Sequence, residues 1–139
     1  MKNRLRIDIT LDEKLVLEPE WRVINTDYPD LSEFNVKVYP LKEILIEKTR
    51  SIIQRGKSRD YYDVWRLLRE HEFDTNETRE LLIAKCKINV IAYEPELIFD
   101  ADRLREAEGY RKSAMGELTK ELPEFKEVVS ELQIRLVFV

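Results

Sequence analysis

Two amphipathic segments decide the fold of this chain: LKEILIEKTRSIIQ, residues 41–54, and SRDYYDVWRLLRE, residues 58–70. At about 100° per residue, Leu41, Leu45 and Ile52 share one stripe of the first segment, which predicts an amphipathic helix. The second segment repeats its apolar residues at the same spacing and predicts a second helix. Because the connection between them is short, we expect the two helices to pack as antiparallel neighbours.

Lys48 lies in the middle of this apolar stripe, where a hydrophobic residue is expected. An ammonium group is rarely buried without a partner. Asp60 and Asp63 flank the apolar face of the second helix and can approach Lys48 from there. Two interpretations stay open at this point. Lys48 is either a phosphate-facing lysine with acidic companions or one half of a partly buried ion pair that holds the helices together without catalysis.

The residues before the first helix predict strands. Residues 4–17 alternate apolar and polar side chains, which is typical of a half-buried strand. Shorter runs of the same kind occupy residues 15–17, 21–24 and 35–39. The expected class is therefore α+β, with a small antiparallel β portion at residues 1–40 and a helical domain of four to five helices at residues 41–139.

Signals for starts and stops divide the helical portion. Gly56 ends the first helix, and Asp74 with Glu77 forms a capping-box start for a third helix that reaches about Ile91. Pro95 opens a fourth segment, which is expected to become one long helix through residue 121. Pro123 interrupts it, and a last helix is expected at residues 124–137.

Composition limits the classes of function. The 139 residues contain a single Cys86 and a single His71, too few nitrogen and sulfur ligands for a zinc hydrolase. No apolar run approaches the ~20 residues of a membrane span, and no signal peptide is evident, so we expect a cytoplasmic protein without membrane contact. The net charge of −4 gives no overall case for nucleic-acid binding. A local basic patch remains, made of Lys48, Arg50, Arg55, Lys57 and Arg59.

Aromatic residues of the second helix divide between core and surface. Tyr61 and Trp65 are at core spacing, so we interpret them as packing residues. Tyr62 is expected to point away from the core, where it could contact RNA together with the basic patch. A nuclease of the Asp…Glu-x-Lys type is disfavoured because no residue separates Glu47 from Lys48.

Residues 38–51 and 55–64 closely resemble the AbiEii/AbiGii nucleotidyltransferase family, the toxins of abortive-infection toxin–antitoxin systems, which have a polymerase-β-like core. Glu47 and Lys48 match the Glu-Lys helix of that family. The start of its next helix, Arg-Asp-x-x-Asp, is matched by Arg59, Asp60 and Asp63. The resemblance is strong at residues 38–68 and weaker over the rest of the chain.

The resemblance implies a site for nucleotidyl transfer from a nucleoside triphosphate, with tRNA or another RNA as a possible acceptor. It implies Mg²⁺ as the cofactor and an antitoxin as a partner. By position, the resemblance makes Asp8 a strand-borne metal ligand; the alternative, that Asp8 is simply a solvated residue on the polar face of its strand, stays open. The implied catalytic residues are Lys48, Asp60 and Asp63, and the implied substrate-binding residues are Lys48, Arg55 and Arg59.

The sequence also departs from the family pattern. It contains no Gly-Ser dipeptide, and its only Asp-x-Asp, at Asp100 and Asp102, lies downstream of the lysine helix. We interpret that pair as a solvated face or a helix start. Residues 1–40 then look like the end of a catalytic sheet, and the chain is expected to be inactive alone, as one half of a split enzyme, a truncated form, or a partner-binding or RNA-binding remnant without catalysis. An open sheet edge also favours a homodimer.

Overall fold

A computed structural model describes residues 6–7, 9–11, 13–25, 29–30, 32–116 and 122–139. Within these residues the fold is α+β, as predicted: a two-stranded sheet is followed by five α-helices and one short 3₁₀-helix. The strands are β1 (Glu20–Ile24) and β2 (Phe34–Val38). The helices are α1 (Leu41–Arg55), α2 (Ser58–Glu70), α3 (Thr75–Ile88), α4 (Ala101–Met115) and α5 (Phe125–Arg135), and the 3₁₀-helix covers Pro95–Phe99.

The sheet is a single antiparallel hairpin. Glu20 pairs with Val38 at one end and Ile24 with Phe34 at the other, which confirms the two strands predicted near residues 21–24 and 35–39. Much of its apolar surface faces solvent: Trp21 is 66% exposed and Phe34 is 48% exposed. A two-stranded sheet has little stability by itself, so this hairpin depends on what it packs against.

The strand predicted at residues 4–17 is wrong for the residues that the structure describes there. Positions 6–7, 9–11 and 13–17 form no strand, and Ile7, Ile9 and Leu11 are 70%, 77% and 90% exposed. Alternation of apolar and polar residues indicates that a segment, if extended, has one apolar and one polar face. A strand also needs a neighbouring strand that completes its backbone hydrogen bonds. Within the described part of the chain no third strand supplies one.

The helix boundaries follow local signals. Gly56 ends α1 in the left-handed conformation, φ 57°, and its N–H donates to the carbonyl of Ile52 at 2.9 Å. Asp74 caps α3 by accepting a hydrogen bond from the N–H of Glu77 at 2.8 Å, as predicted. This helix ends at Ile88, three residues before the predicted end, because Val90 takes a positive φ of 58° that a helix does not allow.

The fourth segment is two elements where one long helix was predicted. After the 3₁₀-helix the backbone of Asp100 is extended, and its side chain accepts a hydrogen bond from the N–H of Arg103 at 3.0 Å. Asp100 therefore caps α4, which confirms the interpretation of this acidic pair as a helix start. Asp102 pairs with Arg105 on the exposed side of the same helix. The predicted continuation through residue 121 lies partly outside the described residues.

The core surrounds α2, which packs against α1, α4 and α5, and it continues between α1 and α3. The hydroxyl of Tyr61 donates to the carbonyl of Ile98 at 2.7 Å, and its ring packs edge-on against Phe125 at 5.3 Å. Trp65 is also buried, so both packing assignments are confirmed. Tyr62 was wrongly assigned to the surface: it is 4% exposed, because the segment leading into α5 covers that side of α2 and its Pro123 carbonyl accepts the Tyr62 hydroxyl at 2.7 Å.

The apolar stripe of α1 is buried only from its second turn onward. Leu45 and Ile52 are fully buried, whereas Leu41 is 44% exposed and does not contribute to the core as expected. Leu41 is the first residue of the helix and lies beside the exposed hairpin. None of the helices in the described part of the chain is long and apolar enough to cross a membrane.

Candidate functional site

Lys48 reaches from α1 to two carboxylates on α2. Its Nζ lies 2.6 Å from Oδ2 of Asp63 and 3.9 Å from Oδ1 of Asp60. The two helices run in opposite directions, since Lys48 pairs with the later aspartate while Arg55 pairs with the earlier one. The sequence predicts that α1 and α2 gather Lys48, Arg59, Asp60 and Asp63 into one cluster; this is confirmed for the lysine and both aspartates and is wrong for Arg59.

The three side chains differ in their access to solvent. Asp60 is fully buried, the Lys48 side chain is 31% exposed, and the Asp63 side chain is 46% exposed. An incoming ligand can therefore contact the ammonium group and Asp63 without any rearrangement of the core. Asp60 lies beneath them and acts on the cluster through its hydrogen bonds.

Arg55 holds Asp60 in place from the last turn of α1. Its Nε and Nη2 donate to the two oxygens of Asp60 at 2.9 and 3.0 Å, the bidentate geometry that an arginine fork favours. This hydrogen bond raises the pKa of Arg55, although burial acts in the opposite direction. Asp60 is fully buried, whereas the Arg55 side chain is 42% exposed, so part of it stays accessible to solvent.

Arg103 of α4 fixes the end of α1 from the other side. Its guanidinium donates to the carbonyls of Ile52, Ile53 and Gln54 at 3.3, 2.7 and 3.2 Å. The carbonyls of Ile53 and Gln54 have no partner inside the helix because α1 ends there, whereas that of Ile52 also accepts the N–H of Gly56. Arg103 thus anchors the turn that carries Arg55, and nothing in the sequence pattern had marked it.

The basic patch expected from the sequence is divided by the fold. Arg50 pairs with Glu47 at 2.5 Å on another face of α1. Arg59 is exposed and makes no hydrogen bond or ion pair with the described residues. Lys57 has a distant carboxylate neighbour, Glu106 at 4.0 Å. Arg59 therefore does not join Lys48 and the aspartates in this structure, although it begins the same helix.

A second ionic cluster surrounds a lysine that is fully buried. Lys85 of α3 lies with its Nζ 2.8 Å from Glu43, 3.2 Å from Glu47 and 3.4 Å from Glu13. The same ammonium donates to the carbonyl of Lys14 at 2.6 Å. Glu47, which is part of the motif shared with the family, is thus turned toward Lys85 and not toward the neighbouring Lys48.

Glu43 joins this cluster to the chain that precedes the hairpin. It is 1% exposed and accepts a hydrogen bond from the N–H of Leu17 at 2.9 Å and a longer one from the N–H of Val16 at 3.3 Å. Sequence reasoning missed this cluster, although one signal was available. Lys85 lies at helical spacing from the buried Leu82, so it stood in an apolar stripe just as Lys48 did.

The described residues do not fit a magnesium site. Mg²⁺ takes oxygen ligands in octahedral geometry, usually one or two carboxylates with water and phosphate. In the described ranges no group of three or more His, Cys, Asp or Glu side chains could hold a metal ion. The carboxylates of Asp60 and Asp63 are already engaged by cations. Asp8, the expected metal ligand, lies outside the described residues.

The cluster presents three partly exposed side chains on two packed helices. They are the ammonium of Lys48, the guanidinium of Arg55 and the carboxylate of Asp63. Such an arrangement suits a polyanionic ligand, since Lys48 can exchange Asp63 for phosphate oxygens while Asp60 stays bound to Arg55. The Lys48 cluster is therefore a candidate anion-binding site, carried by a pair of helices in an α+β protein.

Comparison with known proteins assigns the family. A family model described as nucleotidyl transferase AbiEii toxin, type IV toxin–antitoxin system, matches residues 1–131. The chain therefore belongs to the AbiEii nucleotidyl transferase toxin family. An uncharacterized protein of Aquifex aeolicus is 41% identical over 46 residues, which are 33% of this chain and 22% of that protein. The match thus spans about a fifth of that relative's length. No solved structure matches the chain.

Proposed function

We propose that this chain supplies triphosphate-binding residues to a nucleotidyltransferase of the abortive-infection toxin type. The observation that carries the proposal is the position of the Lys48 ammonium, partly exposed between Asp63 at 2.6 Å and Asp60 at 3.9 Å. Family membership supports nucleotidyl transfer as the chemistry. The contacts of the cluster support the individual roles.

Lys48 and Arg55 are proposed to bind the triphosphate. The Lys48 side chain is 31% exposed and its closest partner, Asp63, is also accessible, so phosphate oxygens can replace that carboxylate. Arg55 keeps its fork on Asp60, and part of its side chain stays accessible to solvent. Arg59 is exposed and unpaired within the described residues, so it can reach a bound ligand from the start of α2. Together the three cations would offset the negative charge of the triphosphate.

Asp60 and Asp63 are proposed to have different roles. Asp60 is fully buried, and its bidentate pair with Arg55 orients that guanidinium. Asp63 is half-exposed, so once phosphate displaces it from Lys48 it can approach the acceptor hydroxyl and accept its proton. The acceptor is proposed to be tRNA or another RNA, and the nucleoside triphosphate is the donor. The acceptor oxygen bonds the α-phosphorus as the bond to the β-phosphate breaks, and pyrophosphate leaves.

Metal binding needs groups that the described residues do not provide. The cluster consists of cations and engaged carboxylates, and Asp8 remains a proposed metal ligand outside the described residues. The sequence also lacks a Gly-Ser dipeptide. We therefore propose that the remaining groups come from another chain or another part of the protein, and that residues 1–139 are inactive alone. No step of the proposed chemistry runs through Mg²⁺ held by the described residues.

Nucleotide transfer tests this proposal. Labelled nucleoside triphosphates are incubated with Mg²⁺, total RNA and either the wild-type chain or Lys48→Ala. We expect no incorporation with either protein alone, and Lys48-dependent incorporation when a chain carrying Gly-Ser and Asp-x-Asp motifs is added. Incorporation by wild type alone would contradict the proposed inactivity. Incorporation by Lys48→Ala at the wild-type rate would contradict the role of Lys48.

A second candidate function is partner binding without catalysis. The exposed apolar side chains of the hairpin favour it, because Trp21, Val23 and Phe34 are 66%, 56% and 48% exposed. An antitoxin, a complementing chain or a second copy pairing at the sheet edge would cover them. Sedimentation of wild type and Trp21→Glu over a range of concentrations tests the second copy. A dimer that Trp21→Glu dissociates supports this function, and a monomer at all concentrations excludes the homodimer.

A further inference from the structure

Ser58 carries a buried hydroxyl that lacks a partner. It is the first residue of α2 and is 2% exposed, and its Oγ makes no hydrogen bond with the described residues. Buried hydroxyl groups in proteins are almost always hydrogen-bonded, because the bonds to water that burial removes must be replaced. A bound water or a ligand oxygen can supply the partner that the described residues do not provide for Ser58.

A small cavity lies beside this hydroxyl. Its volume is about 20 Å³, and its wall is formed by Gly56, Lys57, Ser58, Glu106, Ala107 and Tyr110. A water molecule needs roughly 10–15 Å³ measured in this way, so the cavity accommodates one oxygen atom but not a whole anion. An oxygen that enters it can accept the hydrogen bond that Ser58 has available. The rest of a larger ligand would remain at the mouth, beside Lys57 and Tyr110.

The start of α2 offers further donors at the same place. Lys57, the N-cap residue, makes no side-chain capping hydrogen bond, and a helix leaves its first N–H groups without partners inside the helix. The acidic residue of the first turn, Asp60, accepts two hydrogen bonds from Arg55 with its carboxylate, and its N–H donates to the Lys57 carbonyl at 3.0 Å. The positive end of the α2 dipole is therefore not neutralised by a capping carboxylate.

The cations nearest to this helix end are also the least engaged of the basic patch. Lys48, Arg50 and Arg55 each have a carboxylate within 3 Å. Lys57 approaches Glu106 at 4.0 Å and lies 5.8 Å from the ring centroid of Tyr110. Arg59, proposed above to bind the triphosphate, has no ion pair among the described residues. Lys57 is thus the cation available beside the unpartnered hydroxyl.

We propose that the start of α2 binds one phosphate group, separately from the Lys48 cluster. One phosphate oxygen occupies the cavity and accepts the hydrogen bond of Ser58. The other oxygens lie at the mouth and pair with Lys57 and with the backbone N–H groups of Ser58 and Arg59. The ligand class is a phosphate ester or free phosphate, and the site does not depend on nucleotidyl transfer.

Titration with inorganic phosphate tests the site, followed by ¹H–¹⁵N NMR of the full chain at constant ionic strength. We expect saturable shifts of the Ser58 and Arg59 amides, with chloride at matched ionic strength producing none. Lys48→Ala should retain this response, which separates failure of this site from failure of the proposed function. If the amide shifts do not saturate, or match those in chloride, the cavity holds only water and the proposal is overturned.

Variants with opposite expected effects sharpen the test. Ser58→Ala and Lys57→Ala should each weaken phosphate binding about fivefold or more, because each removes a proposed contact. Glu106→Gln should tighten it several-fold, because it removes the carboxylate that competes for Lys57. Matched controls are Ser130→Ala on α5 and Lys87→Ala on α3, both exposed and expected to bind as wild type. Equal affinity in all five variants would overturn the proposal.

The same amides identify the source of the phosphate. ATP and a short oligoribonucleotide without terminal phosphate are titrated in parallel with inorganic phosphate. Tighter binding of ATP assigns a phosphate of a nucleotide, and tighter binding of the oligoribonucleotide assigns a backbone phosphodiester. If Lys48→Ala abolishes the shifts at Ser58 as well, the site is not separate from the Lys48 cluster and the proposal is wrong in that respect.

Discussion

Lys48 and Asp63, fifteen positions apart in the sequence, meet at 2.6 Å across the α1–α2 helix pair. Both side chains are partly exposed, at 31% and 46%. An ion pair of this kind adds little stability in water, because solvent screens the charges and two long side chains lose freedom. Because both side chains are accessible, a ligand can separate the two groups with little loss of free energy of unfolding.

The two aspartates of this cluster should differ sharply in their effect on stability. Asp60→Asn removes a fully buried carboxylate that holds the fork of Arg55, and we expect a loss of about 2 kcal/mol in the free energy of unfolding. Asp63→Asn removes a half-exposed partner, and we expect a loss of about 0.5 kcal/mol at most. Urea denaturation of the two isosteric variants measures the difference. Equal losses would contradict the assigned burial.

Lys85 should contribute strongly to the free energy of unfolding, because its removal leaves buried carboxylates without a cation. Glu43, its closest partner at 2.8 Å, is 1% exposed. We expect Lys85→Met to lower the free energy of unfolding by about 3–5 kcal/mol, the usual effect of breaking a buried pair from one side. Adding Glu43→Gln should recover part of this loss. If the double variant is no more stable than the single one in thermal denaturation, the coupling is absent.

Acid should weaken the same cluster through Glu47. Burial tends to raise its pKa, but hydrogen bonds and charges from Arg50 and Lys85 outweigh burial and hold the pKa of Glu47 below 4.5. A carboxylate with a lowered folded-state pKa contributes stability above its unfolded value and loses it as the pH falls. We therefore expect the free energy of unfolding to decrease as the pH is lowered below about 4.5.

Glu47→Gln is the matched variant for that pH dependence. Glutamine cannot titrate, so Glu47→Gln should be less stable than wild type at about pH 7. For the same reason it should lose less stability than wild type between about pH 5 and about pH 3. Chemical denaturation at several pH values measures both slopes. Parallel curves for the two proteins would show that Glu47 does not contribute to acid sensitivity.

Alkaline pH should act on the core through Tyr61. Burial raises the pKa of Tyr61 from 10.0 to about 12, with Arg103 acting in the opposite direction. Since the unfolded chain ionises first, stability is complete below pH 10 and falls as the pH approaches 12. Tyr61→Phe should remove that part of the slope and cost about 1 kcal/mol at pH 7, because the Ile98 carbonyl loses its donor. Absorbance of tyrosinate against pH gives an independent reading.

The helices were accessible to sequence reasoning because their signals are local. The glycine after α1, the Asp74 cap of α3 and the 3.6-residue periodicity of α2 each lie within a few positions of the boundary they determine. The same holds for Lys48 with Asp60 and Asp63, which lie on consecutive helices joined by a short turn. Here the pattern of charges within one helical hairpin was enough to predict the contact.

The failures share a dependence on distant partners. Tyr62 is buried because Pro123, far along the chain, covers it. Glu43 and Lys85 lie on helices that are not consecutive, so no local spacing relates them. The strand expected at residues 4–17 had an alternating pattern, but within the described residues it has no neighbouring strand to pair with. Periodicity indicates which face of a segment is apolar and does not identify what packs against that face.

The most direct measurement is calorimetric titration of ATP into wild type, Lys48→Ala and Lys42→Ala. Lys42 is a matched control because it lies on the same helix and also pairs with a carboxylate, Glu77 at 2.5 Å. We expect Lys48→Ala to weaken binding about tenfold, which is about 1.4 kcal/mol, while Lys42→Ala binds as wild type. Equal affinity of wild type and Lys48→Ala, with both proteins folded, would contradict the proposal that Lys48 binds the triphosphate.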